Sequence, residues 1–222
     1  AQADYLKRFL ADSIVRDFEH LRRTEFGGSP WVTLGQSYGG FLTLTYLSLF
    51  PEGVAASFTC GGIPHVPANA TEVYEHTFPR MARKTAQFYE RYGVDADRVA
   101  AVADQLPTVA EIAEAGGIGG DSGSLPEGTP LLPNGDPLTV ERLQCLGSDF
   151  GMKPSFERVH WIFDDAFVDG DGSVSAGAAL SDEFLAKVMN ATSSRPLYWP
   201  LQEFIYANGE LEEPIRWAAQ RV

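Results

Sequence analysis

Between Phe26 and Pro51 the chain carries no charged side chain, and this stretch restricts the fold more than any other. Gly, Ser, Thr and Gln interrupt it too often for a membrane-spanning helix. It reads instead as the centre of a folded core. Within it, Trp31-Val32-Thr33-Leu34 is a short apolar run with β-branched residues, the pattern of a buried parallel strand. Gly35-Gln36-Ser37-Tyr38-Gly39-Gly40 follows, and then FLTLTYLSLF from Phe41 to Phe50 has the length and composition of a helix stopped by Pro51. Val54 to Cys60 gives a second strand, closed by Gly61-Gly62 and Pro64. Upstream, Asp12 or Ser13 caps a helix in which Ile14, Val15, Phe18, His20 and Leu21 recur near helical spacing, with Arg16, Asp17, Glu19, Arg22 and Arg23 assigned to water. Helix, strand, helix, strand predicts a parallel sheet covered by helices.

Gly35-Gln36-Ser37-Tyr38-Gly39 matches G-x-S-x-G between a strand and a helix. In a nucleophile elbow the serine occupies a strained turn, and flanking glycines let strand and helix approach closely. The Ser37 hydroxyl is then presented at the C-terminal end of the strand, where parallel sheets place their sites. The Tyr38 N–H, at the start of the helix, is placed to receive an oxyanion. A serine also requires a base and an acid to orient it. The four histidines are His20, His65, His76 and His160; His20 lies upstream, His65 follows the second strand, and His76 and His160 fall in helical patterns, where a structural role is expected.

Beyond Pro67 helical periodicity dominates, over 71–92, 95–115 and 139–150, with further helices at 155–167 and 181–191. We therefore divide the chain into 1–66 and 67–222. Gly116 to Gly135 is rich in Gly and Pro and reads as a surface loop. The net charge of -13, from 17 basic and 30 acidic residues, would repel phosphate backbones and anionic bilayers. Nucleic acid and membrane surfaces are thereby excluded as expected partners. Aromatic residues at 12% and apolar residues at 44% exclude a disordered polymer.

Two cysteines, Cys60 and Cys145, make no disulfide framework or metal spacing, so we expect buried thiols, a cytoplasmic setting and no metal. The first residues show no signal-peptide pattern. Asp169-Gly170-Asp171-Gly172 fails the calcium-loop template in either register, and Gly117-Ile118-Gly119-Gly120-Asp121-Ser122 lacks the last glycine of a dinucleotide fingerprint. The sequons at Asn69 and Asn190 match by pattern only. Glu203 sits among aromatic and aliphatic residues in LQEFIYANG, where burying a carboxylate requires a partner such as an ammonium.

The segments DYLKRFLADSIVRDFEHLR, WVTLGQSYGGFLTLTYLSLFPEGV, GGIP, PLTVERLQCLG, SFERVHWIF and PLYWPLQEFIYANG resemble the prolyl aminopeptidases, serine peptidases of the α/β-hydrolase fold. The resemblance implies an α/β fold, here a partial α/β-hydrolase parallel sheet with a mostly helical cap, and release of an N-terminal proline from a peptide. It implies no cofactor. It further implies Ser37 as nucleophile, Tyr38 as donor of an oxyanion N–H, Gly35 and Gly39 as elbow glycines, and Glu203 as the cap glutamate that binds the substrate's free amine. An esterase with the same fold and a non-catalytic binding module are the alternatives.

The family's oxyanion loop precedes the elbow, and its catalytic Asp and His follow the cap; neither pattern occurs in these 222 residues. Two strands also make too narrow a sheet for a parallel α/β core. We therefore expect an internal part of a longer enzyme, inactive alone.

Overall fold

The computed structural model describes residues 2–66, 69–117, 125–153, 155–168, 177–206 and 213–222. The chain divides into two compact units, 1–77 with 196–222, and 78–195. The sequence division placed the boundary at 66/67 and left the tail with the helices; the tail groups instead with the sheet. Asp169-Gly170-Asp171-Gly172 and residues 118–122 of the glycine-rich stretch lie outside the described residues.

The sheet unit opens with α1 (Gln2–Leu6) and α2 (Ala11–Thr24), followed by β1 (Trp31–Gln36), α3 (Tyr38–Leu49) and β2 (Val54–Cys60). The strands pair in parallel, with Leu34 opposite Phe58 and Gln36 opposite Cys60. A parallel pair needs a crossover, which α3 provides. Strand alternation then separates two faces. On one, Thr33 Oγ1 donates to Ser57 Oγ at 3.0 Å, and Thr59 shares a hydrogen bond with Thr43 of α3, also at 3.0 Å. On the other, Val32, Leu34 and Phe58 are 67%, 75% and 58% exposed. The small hydroxyl-bearing face lets the helix approach; the large apolar side chains point the opposite way. Cys60, expected to be buried, is exposed; its strand position shares the register of Phe58 rather than that of Thr59.

Helix α2 buries Val15, Glu19 and Arg22, positions i, i+4 and i+7 of one face. Phe18 and Leu21, expected inside, are exposed, whereas Glu19 and Arg22, expected in water, are buried. Pairing explains the reversal. Arg22 Nε donates to Glu19 Oε2 and Arg22 Nη2 to Oε1, both at 2.8 Å, and Tyr46 of α3 donates its hydroxyl to Oε2 at 2.8 Å. Arg22 Nη1 donates to the Gly28 carbonyl. Each buried charge is thus hydrogen-bonded, the condition under which burial is tolerated.

Helix α4 (Ala70–Arg91) leads into the helical unit, α5 (Val94–Ala103), α6 (Val109–Glu114), α7 (Val140–Gln144), α8 (Phe156–Asp164) and α9 (Asp182–Ser193). The single helix expected over 95–115 is two, because Pro107 interrupts it and Thr108 with Glu111 forms a capping box that starts α6. The α7 pattern expected through residue 150 tightens into a 3-10 turn from Cys145 to Gly151. Helix α8 buries Val159, Ile162 and Phe163, and α9 buries Phe184, Val188 and Thr192. These stripes meet Phe88, Val102, Leu138 and Leu146 in one apolar cluster. The tail forms α10 (Tyr198–Leu201), a 3-10 turn over Gln202–Tyr206 and another over Ala218–Gln220. Among the described residues no helix is long and apolar enough to cross a membrane.

Candidate active site

Strand β1 delivers the chain to Ser37, whose φ of 56° and ψ of -122° place an ordinary L-residue in a sparsely populated region. Such a conformation costs on the order of 1–3 kcal/mol and persists only where the surroundings enforce it. Backbone bonds hold it from both sides. The Ser37 N–H donates to the Cys60 carbonyl at 3.1 Å, and the Gly40 N–H donates to the Ser37 carbonyl at 2.9 Å.

Three glycines make this geometry possible, and a Cβ at Gly40 would lie 2.1 Å from the Gly62 carbonyl oxygen. A Cβ at Gly35 would lie 2.1 Å from the Gly39 carbonyl oxygen, and one at Gly62 would lie 1.8 Å from the Ser37 carbonyl oxygen. Strand and helix therefore approach closely at Gly35. Gly39 has open space around the position of a Cβ, so its role cannot be crowding. Gly40 and Gly62 are the crowded positions instead. The sequence shows Gly61-Gly62 only as the end of a strand; its contact with Ser37 depends on β1 pairing with β2.

Ser37 is the N-cap residue of α3, yet its hydroxyl makes no capping hydrogen bond, and the residue is exposed. A serine at this position ordinarily satisfies an N–H of the first turn. Tyr38 is the first residue of α3, so its N–H has no acceptor within the helix, and the helix dipole adds partial positive charge there. An exposed hydroxyl beside a helix-terminal N–H can form an ester and hold the adjoining oxyanion.

The Tyr38 side chain is half-buried, and burial first, then the Asp12 charge, push its phenol up from the ordinary value. Its ring begins a row: Tyr38 to Phe41 at 6.0 Å between centroids, Phe41 to Tyr206 at 6.3 Å, and Tyr206 to Tyr74 at 6.3 Å. Sequence reasoning missed this row, because residues 38, 74 and 206 meet only through tertiary structure.

Glu203 is 3% exposed. Its Oε2 accepts from the Ala218 N–H at 2.9 Å and its Oε1 from the Ala219 N–H at 3.0 Å. Arg216 and Trp217 adopt left-handed φ values of 53° and 50° just before these donors. The sequence demanded a partner for this carboxylate, and the tail backbone provides two. The Tyr74 phenol also hydrogen-bonds this carboxylate, which with about four acceptor positions has one left. Burial first, then the Glu203 charge, raise the Tyr74 phenol well above the usual range.

Among the described residues no hydrogen bond joins the Ser37 hydroxyl to a histidine. His65 Nε2 pairs with Glu72 at 3.1 Å, and His160 Nδ1 lies 2.8 Å from Asp95, stacked on Tyr92 at 4.0 Å. Asp95 is fully buried and also receives Arg98 at 3.0 Å, which makes His160 part of a brace inside the helical unit. A hollow lined by Leu131, Pro133, Asp182, Glu183, Leu185 and Ala186 lies wholly in that unit and holds none of the expected site residues. No group of three metal-binding side chains is gathered among the described residues.

Residues 2–93 match the family described as alpha/beta hydrolase fold. The chain is 38% identical over 223 aligned residues to a proline iminopeptidase of Aeromonas sobria, covering all of this chain and 45% of that protein. A proline iminopeptidase of Aspergillus aculeatus is 28% identical over 215 residues, 94% of this chain and 43% of that protein. The chain thus spans less than half the length of these curated relatives.

Proposed function

This chain carries part of the α/β-hydrolase fold and is related along its length to proline iminopeptidases, and on that premise we propose that its protein is a serine aminopeptidase that releases N-terminal proline from peptides. The observation that carries the reading is the strained, uncapped and exposed Ser37 at the N-terminus of α3.

Ser37 Oγ attacks the carbonyl carbon of the first peptide bond as a general base removes its proton. The resulting oxyanion meets the Tyr38 N–H, which needs no reorganisation to receive it. Collapse breaks the C–N bond, the leaving amine takes a proton from the protonated base, and a prolyl ester remains on Ser37. Water, deprotonated by the same base, then hydrolyses the ester and restores the hydroxyl. We assign the base to that part of the relatives' length that this chain does not span, so that residues 1–222 alone turn over no substrate. Glu203 holds the substrate ammonium through the acceptor position not taken by Ala218, Ala219 and Tyr74. The substrate's cationic amine suits a protein with a net charge of -13.

The test uses the whole protein. A fluorophosphonate without an amine should label Ser37, and Ser37→Ala should lower hydrolysis of a proline arylamide by a factor on the order of a million. An unchanged rate in Ser37→Ala removes the reading. Glu203→Gln should weaken free-amine substrates more than acyl esters; equal effects would leave Glu203 only its backbone contacts.

A further inference from the structure

The acyl-transfer reading uses Ser37 and the Tyr38 N–H and leaves two neighbouring hydroxyl groups without a role. Thr43, in the second turn of α3, is 6% exposed. Its Oγ1 donates to the Gly40 carbonyl at 2.8 Å and lies 3.0 Å from Thr59 Oγ1 of β2. A hydroxyl has one hydrogen and two lone pairs. The Thr43 hydrogen is engaged by Gly40, so Thr59 is the donor between strand and helix, and the bonds run in one direction from Thr59 to Thr43 to Gly40.

Both ends of that chain lead to Ser37. The Gly40 N–H donates to the Ser37 carbonyl at 2.9 Å, and Cys60, the residue after Thr59, accepts the Ser37 N–H at 3.1 Å. The strained serine therefore belongs to a closed ring, Ser37, Cys60, Thr59, Thr43 and Gly40, in which the two threonines supply the side-chain links. Thr59 Cγ2 would lie 2.7 Å from a Cβ at Gly40, so the side chain that donates to Thr43 also rests against the bare backbone of the turn. Thr45 shows the ordinary alternative. Its Oγ1 donates back to the Phe41 carbonyl of its own helix at 2.8 Å and ties α3 to nothing else.

We propose that Thr43 and Thr59 are positioning residues for the nucleophile: their hydroxyl pair holds the first turns of α3 against the end of β2, so that Ser37 keeps its strained conformation and the Tyr38 N–H stays aimed at the oxyanion. This inference rests on the acyl-transfer reading above. The oxyanion contact belongs to the transition state, so loosening the turn lowers kcat and leaves substrate affinity where it was. A misplacement of about 1 Å costs on the order of a hundredfold; a turn that keeps its backbone bonds should lose less.

The experiment replaces hydroxyls by methyl groups in the whole protein. Thr43→Val and Thr59→Val should each lower kcat for a proline arylamide by on the order of tenfold, with KM within about twofold. An amine-free fluorophosphonate should still label Ser37 to completion, at a rate reduced by about the same factor. Thr43→Ser, which restores the hydroxyl, should recover kcat to within about twofold of the unsubstituted protein. The double valine variant should fall no further than Thr43→Val, because the two residues share one bond, and Thr45→Val should leave kcat within about twofold. Thr59 is only half-buried, so Thr59→Val keeps the test open where Thr43→Val does not fold. An unchanged kcat and labelling rate in the valine variants would overturn the inference and leave the acyl-transfer reading standing. So would a normal labelling rate with fewer molecules labelled, which marks a loss of folded protein alone, an equal loss in Thr45→Val, or a double variant that multiplies the two single losses. Failure to label Ser37 in the unsubstituted protein removes the acyl-transfer reading and this inference with it.

Discussion

The two units differ in what they bury within residues 1–222. In the helical unit the apolar stripes of α5, α8 and α9 converge on a shared cluster in which Val102, Leu138, Phe184 and Val188 are wholly buried. In the sheet unit the buried hydrophobic residues among those described are Val15, Tyr46, Ala70 and Ala218, and much of the interior is polar: Glu19, Arg22, Thr43 and Glu203. Within residues 1–222, Val32, Leu34, Phe58 and Ile63 are exposed. A helix can satisfy its backbone alone and needs only one covered stripe, whereas a parallel sheet in α/β proteins is covered on both faces. The helical unit is held by apolar contact. Within the sheet unit, directed side-chain hydrogen bonds join α2 to α3, α3 to β2 and β1 to β2.

The largest expected effect lies in the helical unit. Phe184 is fully buried and contacts the Phe163 ring at 5.9 Å, so Phe184→Ala should cost roughly 4 kcal/mol through lost transfer energy and the cavity left behind. Amide exchange in α8 and α9 should speed up while α2 and α3 keep their protection. Equal acceleration in both units would show that they unfold together, and the contrast between them would lose its energetic meaning.

The elbow was readable because it is local: a strand, a glycine-flanked serine and a helix follow one another within twenty residues of Trp31. Gly62, the aromatic row and the tail donors to Glu203 were not, since each depends on pairs of residues far apart in sequence. The α2 error has the same origin. Glu19 and Arg22 look like surface charges until Tyr46, 27 residues away from Glu19, supplies the third member of the network. By contrast, the break between α5 and α6 was legible in Pro107 and the Thr108–Glu111 spacing, and the single-helix expectation overrode it. The difference lies in whether the deciding partner is inside the same window of sequence.

The next effect tests the polar solution directly. Hydrogen bonds from Arg22, outweighing the opposing effect of burial and aided by Tyr46 and Arg23, hold the Glu19 carboxyl down from 4.5 to about 2. A depressed folded value means that the stabilisation is complete above the unfolded value and is lost as pH falls from about 4.5 through about 2. Glu19→Gln should cost roughly 3 kcal/mol near neutrality, because Arg22 is left buried beside a neutral partner. The same variant should also flatten the decline in α2 and α3 protection over that acidic window. A decline as steep as in the unsubstituted protein would place the acid sensitivity elsewhere.

The smallest effect concerns the open face. Leu34 is 75% exposed, so replacing it removes almost no buried area, and a lysine there keeps its ammonium in water. In residues 1–222, Leu34→Lys should change stability by no more than about 0.5 kcal/mol, measured by denaturant unfolding at low concentration. Sedimentation at higher concentration should show less self-association than in the unsubstituted chain, since the substitution breaks a contiguous patch with Val32 and Phe58. The magnitude discriminates sharply, because an unpaired charge placed under a covering layer costs several kcal/mol. A loss of more than about 2 kcal/mol would therefore mean that this face is covered, and the contrast between a closed helical core and an open sheet would have to be redrawn with the sheet closed as well.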